Sequence, residues 1–306
     1  MCCACRPAMK TAIDFGVLGL TLALMFSVGL DLETCHFKEL ARHKGTFFAA
    51  LIGPMVVSPA IGVFIVRTIP LPGYLQVGIL LVAACPVGDI ANFYTLMARG
   101  NVALSVAVNT VSCLLSVASM SVVFGVYRRL FGAEFALLVP PFRLLGRLIL
   151  MVAAPIVLGM GFRVLQPGPA SKVSRSLRML CVGGVLVVCA FVIANRHAQL
   201  RADWKAISLS SLSLMAVAMA CGWAIGRFMG LKRSDSITFA ILFPVRNIAL
   251  ATAIAVSLMG RLEYAAFATA YFLSEAFLLL GAVVFVRSRS TAAPLGDSAP
   301  EGAIHP

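Results

Sequence analysis

The chain has 306 residues, 60% of them hydrophobic and 12% charged, and its mean hydropathy is +0.98. A soluble domain carries about 25% charged residues, so a water-soluble globule is excluded and a polytopic all-α membrane protein of about nine helices at ~20 residues each is expected. The net charge of +13 does not point to nucleic acid, because the basic residues stand singly or in small groups between apolar runs, the juxtamembrane pattern.

Residues 1–10 are expected to form a tail. Its Cys2, Cys3 and Cys5 read as an unstructured terminus, an acylation site or metal ligands. The first helix is expected over Thr11–Leu30; its apolar run, Ala12 to Leu30, is too long for a signal-peptide core and lacks a small-x-small cleavage site, so no cleavable signal is expected. A polar loop follows. The second helix is expected over Gly45–Val66, kinked by Pro54 and Pro59. Pro70-Leu71-Pro72-Gly73 marks a turn. The third run, Leu75 to Met97, is long enough to span, but Cys85-Pro86-Val87-Gly88-Asp89-Ile90-Ala91-Asn92 interrupts it. Arg99-Gly100-Asn101 is a corner before a fourth helix over Val102–Val126, and Arg128 to Arg143 is a loop or surface helix. The fifth helix is Leu144–Val164, with Pro155 inside. A polar, basic segment from Gln166 to Arg178 precedes the sixth helix, Met179–Asn195, and the seventh, Ala206–Phe228. The eighth run, Ser236 to Met259, is again interrupted, by Phe243-Pro244-Val245-Arg246-Asn247. The ninth helix is Glu263–Val286, and residues 287–306 are expected to be a disordered tail rich in Pro, Ser, Ala and Gly.

Helices two to four and seven to nine each place an interrupted span second of three. An odd number of helices lies between the breaks, so the triplets enter the membrane from opposite sides, an inverted repeat. Lys and Arg divide almost evenly between the two sides. Their slight asymmetry favours an N-terminus outside and a C-terminus inside.

Polar groups in hydrocarbon must find partners or line a cavity. Asp89 has to be protonated, paired or in water, and Arg246 cannot shed its proton. If the two breaks cross, these residues can meet as a buried ion pair. Alternatively Arg246 binds an anionic substrate, or Asp89 carries a proton. Asn92 and Asn247 can cap the half-helices, whose ends also carry partial charge that can hold an ion. Ser105, Asn109, Ser112 and Ser116 recur at helical spacing, a stripe that either glues helices or faces a cavity; beside a broken helix the cavity is favoured. Glu275 in the ninth helix reads as a near-interface or ion-paired carboxylate. His36, His43, His197 and His305 are dispersed, and no Ser/His constellation, zinc motif or phosphate-binding glycine run occurs, so an enzyme or a directly ATP-driven pump is not expected.

The run from Cys85 to Asn92, followed by Met97-Ala98-Arg99-Gly100-Asn101-Val102-Ala103-Leu104-Ser105-Val106-Ala107-Val108, resembles the bile acid:sodium symporter family, with its CPGG-x-x-SN break and A-[KR]-G-[DN]-V-A-L-S-V segment. Met25-Phe26-Ser27-Val28-Gly29-Leu30-Asp31-Leu32 looks like its MFGMGL-x-L helix end, Pro155-Ile156-Val157-Leu158-Gly159 like its PIVLG helix, and Arg246-Asn247 falls at its QN pair. The resemblance implies a core domain with two unwound, crossing helices (here about 45–127 and 206–286) beside a panel domain (about 11–30 and 144–195). It also implies movement of small organic anions, usually with sodium, across a bacterial inner membrane by a multi-pass protein with no resident cofactor. Substrate would bind between core and panel; oligomeric state is left open.

The departures bear on the ion. The family's sodium ligands fall here at Ala91 and Asn92, at Ser105 and Asn109, and at Leu242 in place of a Glu. The Gln of QN is Arg246, and a further Gln falls at Pro54. Asn92 and Ser105 persist, the carboxylate is lost and a cation is gained. A guanidinium ~4 Å from sodium at an effective dielectric near 20 costs about 4 kcal/mol, roughly a thousandfold in affinity. The sequence therefore leads to a secondary transporter of an organic anion with sodium coupling impaired. In it Asp89 and Arg246 form a central pair, Asn92 and Asn247 hold the half-helix ends, and Ser105 and Asn109 line the cavity. Its alternatives are a proton-coupled or still sodium-coupled symporter of the same fold and a non-transporting membrane sensor.

Overall fold

The computed structural model describes residues 5–31, 44–132 and 141–291. Among these, all regular structure is helical. The chain runs α1 (Cys5–Leu30), α2 (Lys44–Thr68), α3 (Gly73–Ala84), α4 (Ile90–Met97), α5 (Val102–Phe131), α6 (Pro141–Leu148), α7 (Ala154–Leu165), α8 (Pro167–Ala202), α9 (Trp204–Phe228), α10 (Arg233–Leu242), α11 (Ile248–Ala253) and α12 (Leu262–Thr291). Among the described residues, six helical stretches are long and apolar enough to cross a membrane: Lys44–Thr68, Val102–Phe131, Leu145–Leu165, Pro167–Ala202, Trp204–Phe228 and Leu262–Ser288. Three shorter apolar stretches, Phe15–Leu30, Gly73–Ala84 and Ile248–Leu258, join them. α1 thus begins at Cys5, inside the expected tail, and α12 continues to Thr291. Cys2 and Cys3, most of the loop after Asp31, and residues 292–306 lie outside the described residues.

Local chemistry explains the joints. Pro155 has no N–H and its ring crowds the carbonyl one turn earlier, so the helix widens into a π turn at Ile149–Ala153. Pro86 and Pro244 end α3 and α10 in the same way, but here the chain leaves the helix altogether. At the corner after α4, Arg99 adopts φ 57°. Asn101 then caps α5, its Oδ1 accepting from Leu104 N at 3.0 Å. The corner is tied to α10, because Thr238 Oγ1 accepts from Asn101 N at 2.7 Å and Asn101 Nδ2 donates to Asp235 at 2.9 Å.

One expectation fails. The segment Gln166–Arg178, read as a polar linker, is the first part of α8, with Pro167 in its first turn. Ala170, Ser174, Arg178 and Cys181 share one helical face, and the flanking positions are largely exposed. The inward face is so small and polar that no apolar periodicity marks it.

The helices gather in two groups. α1 packs on α7 and α8. The contact is close enough that a Cβ on Gly29 would stand 2.2 Å from the Ile156 carbonyl oxygen, and one on Gly159 2.3 Å from that of Phe26. In the second group α2 packs on α3, α5 and α9, while α9 packs on α10 and α12. α4 lies on α5 and α10, and α3 on α12. α3, α4 and α10 of the two broken helices sit in this second group, while α11 packs on both α1 and α12.

Candidate functional site at the helix crossover

The two breaks lie against each other. Val87 and Arg246 form an isolated antiparallel bridge. Asn247 N donates to Pro86 O at 2.9 Å, and Gly88 N donates to Val245 O at 3.3 Å. Each break therefore satisfies backbone groups that the other has freed, which is what an interrupted helix needs in a medium without water. Tyr271 of α12 donates to Pro244 O at 2.6 Å. Gly88 is required by the approach itself: a Cβ there would lie 2.5 Å from the Arg246 carbonyl oxygen.

Asp89 turns toward α5 and α8. Its Oδ1 accepts from Asn109 Nδ2 at 2.8 Å and, more weakly, from Asn92 Nδ2 at 3.4 Å. Asn92 Oδ1 in turn accepts from Ser105 Oγ at 2.7 Å, and Thr95 lies 3.4 Å beyond Ser105. Ser105 and Asn109 are one turn apart on α5, so their spacing places both on Asp89 and Asn92. On the other side, Arg178 Nε stands 3.3 Å from Asp89 Oδ2. Arg178 also pairs with Asp31 at the end of α1.

Arg246 turns the opposite way, toward α2. The residue is only 2% exposed. Its guanidinium donates to the carbonyls of Cys85 (3.3 Å), Pro54 (3.2 Å) and Phe243 and to Ser58 Oγ. Ser58 also donates to Phe243 O at 3.2 Å. Three carbonyl oxygens and a hydroxyl are a ligand set for a hard cation, and the guanidinium fills it. Glu275 of α12 attracts Arg246 electrostatically. It is 1% exposed, and its carboxylate lies against the backbone N–H of Arg246.

The structure thus brings together all six residues singled out in the sequence, but not in the expected pairing. Asp89 and Arg246 are not an ion pair: Asp89 faces Asn109 and Arg178, and Arg246 faces Pro54 and Ser58. Asn247 does cap α11, its Oδ1 accepting from Leu250 N at 3.0 Å. Asn92 does not cap α4: it lies within that helix, and its amide serves Asp89 and Ser105. The serine stripe is not a cavity lining. Ser112 and Ser116 are buried and donate to carbonyls of their own helix, at 2.8 and 2.6 Å. Asp31, Ser58 and Arg178 were not legible as site residues, because each owes its place to a contact far along the chain. Glu275 carried a signal, a carboxylate in a span, but belongs to the crossover and not to an interface.

Residues 17–203 match the profile of the Sodium Bile acid symporter family. The chain belongs to that family. Among its relatives, a Bacillus subtilis protein named as an uncharacterised sodium-dependent transporter is 29% identical over 250 residues, covering 81% of this chain and 76% of the relative. A rice chloroplast protein, named as a probable sodium/metabolite cotransporter, is 28% identical over 250 residues, with 81% of this chain and 58% of the relative covered. The rabbit ileal sodium/bile acid cotransporter is 25% identical over 196 residues, 61% of this chain and 56% of the relative. The chain therefore spans less than two thirds of the rice and rabbit proteins. A member of this family with these apolar helices is a multi-pass integral membrane protein of the transporter class.

Proposed function

We propose that the chain is a secondary active transporter of a small organic anion, working by alternating access in a bacterial inner membrane, with a tethered arginine in place of one transported sodium. The observation that carries this reading is the oxygen cage around Arg246. A transporter that binds sodium at a broken helix needs carbonyl and hydroxyl oxygens converging there, and here they converge on a guanidinium. The cage cannot also take sodium without expelling that side chain. The Asp89, Asn92, Ser105 and Asn109 cluster keeps oxygen ligands outside the cage, so any cation that still accompanies the substrate has to use Asp89.

On this reading α2–α5 and α9–α12 are the two halves of an inverted repeat and form the core. α1 and α6–α8 form the panel. The crossover stays rigid through its shared backbone hydrogen bonds, and the core rocks against the panel around it. Family membership, the paired breaks and the relatives' printed names support transport; the substrate class rests on those names.

The test is uptake of labelled taurocholate, cholate and short mono- and dicarboxylates into proteoliposomes holding the full chain. Accumulation that ignores a sodium gradient is expected. Sodium-stimulated uptake that persists in Asp89→Asn would remove the claim about Arg246, because the ion would then have to enter the cage. Stimulation by a proton gradient, lost in Asp89→Asn while exchange survives, would assign the coupling to Asp89. Ligand binding without flux would make the protein a sensor.

A further inference from the structure

Arg178 is the second arginine at the crossover, and unlike Arg246 it is reachable. Its side chain is 38% exposed, against 9% for Asp89. It is held on one side only. A terminal nitrogen donates to Asp31, which Ser174, one turn earlier on α8, also contacts at 2.5 Å. On the other side the contact is incomplete. Arg178 Nε and Asp89 Oδ2 stand 3.3 Å apart, yet neither atom, both buried, has a hydrogen-bond partner. Two of the three charged groups belong to α1 and α8, the third to the broken helix, so the ion pair bridges the seam between the two helix groups.

We propose that Arg178 is the anion-receiving side chain of this protein: it gives up Asp89 and takes the carboxylate or sulfonate end of the substrate in the seam between panel and core. The proposal rests on the transport reading above and names the side chain that would read the substrate's charge. A guanidinium offers a planar fork of donors that matches an oxyanion. Arg246 cannot present that fork, since it is buried and its terminal nitrogens serve protein oxygens. Lys172 and Arg175 lie on exposed positions of α8, off the face that carries Ser174 and Arg178. The unaligned contact to Asp89 makes that partner easier to exchange than Asp31, which is fully engaged. Asp89 then competes with the anion in two ways, by occupying the guanidinium and by adding a like charge beside it. Relieving Asp89 must therefore strengthen anion binding.

The experiment is thermal-shift titration of the purified full chain with taurocholate, cholate and short mono- and dicarboxylates, since a ligand stabilises by mass action. For the anion that stabilises the wild type, Arg178→Gln is expected to weaken binding by at least about tenfold, with Arg178→Lys in between. Asp89→Asn is expected to tighten binding by about tenfold, because the competing state is removed. That gain is not expected of a strut. If Arg178→Gln binds as the wild type does, or if Asp89→Asn weakens binding, the proposal falls while the transport reading stands. If Arg178→Gln does not fold, the Asp89→Asn result decides, since it leaves the arginine in place. If no anion stabilises the wild type, the organic-anion reading falls and this proposal with it.

Discussion

Asp89 stands two residues beyond Val87, whose bridge partner is Arg246, yet the two charges live in different surroundings. Arg246 is enclosed by oxygens of α2, the end of α3 and its own break, and the buried Glu275 attracts it. Asp89 is fixed on one oxygen by Asn109 and Asn92 and left open on the other, toward Arg178 at the seam. The closed side has the design of a structural element: a buried charge with partners contributed by several helices. The open side has the design of an element that changes partners. A pair of charges at a helix crossing need not be a pair with each other.

That contrast can be broken most forcefully from the closed side. Arg246→Leu strips a buried charge from its cage and leaves Glu275 without its cation. A loss of about 3–5 kcal/mol is expected, visible as a large drop in the apparent melting temperature in detergent. Adding Glu275→Gln should recover part of it; equal melting of the single and double variants would show that the two groups do not interact. Gly88→Ala comes next. Its Cβ would meet the Arg246 carbonyl oxygen at 2.5 Å, and overpacking of this kind costs about 1–3 kcal/mol. Uptake should fall with it, because the crossing must move apart. An unchanged melting temperature would contradict the geometry of the bridge.

The remaining substitutions each remove one side-chain hydrogen bond, and their effects on stability should be no larger. Asn109→Ala removes the shorter hydrogen bond to Asp89, and a loss of about 1–3 kcal/mol is expected for a buried acceptor left short. Asn247→Ala removes the cap of α11 and should cost about 1 kcal/mol. Ser112→Ala tests the stripe. Its hydroxyl serves its own helix, so melting should move by the equivalent of about 0.5 kcal/mol or less and uptake should persist. Loss of uptake in Ser112→Ala would restore the cavity reading of that face.

The sequence carried the interrupted spans plainly, because proline, glycine and charge inside an apolar run conflict with a continuous helix in lipid. It carried Ser105 and Asn109 as well, since their one-turn spacing is a helical property. The beginning of α8 was hidden. Its inward face is Ala170, Ser174, Arg178 and Cys181, which has no hydrophobic stripe to detect, and the flanking charges read as a loop. Asp31 and Ser58 were hidden for another reason. A hydroxyl within a helix, or a carboxylate at a helix end, is ordinary until a partner more than a hundred residues away meets it.

By itself the sequence determined that the chain is a helical membrane protein and that two spans are broken, which follows from composition, periodicity and residue type, all of them local. Its motifs carried the resemblance to the family, and that resemblance implied a cation, Arg246, at the place of a sodium ligand. Tertiary structure alone decided who holds whom. The antiparallel bridge between Val87 and Arg246 holds the two breaks against each other. Arg246 reaches the oxygens of α2, while Asp89, in helical conformation at the start of α4, faces α5 and α8, because the partners of a buried charge are set by the helices the fold packs around it.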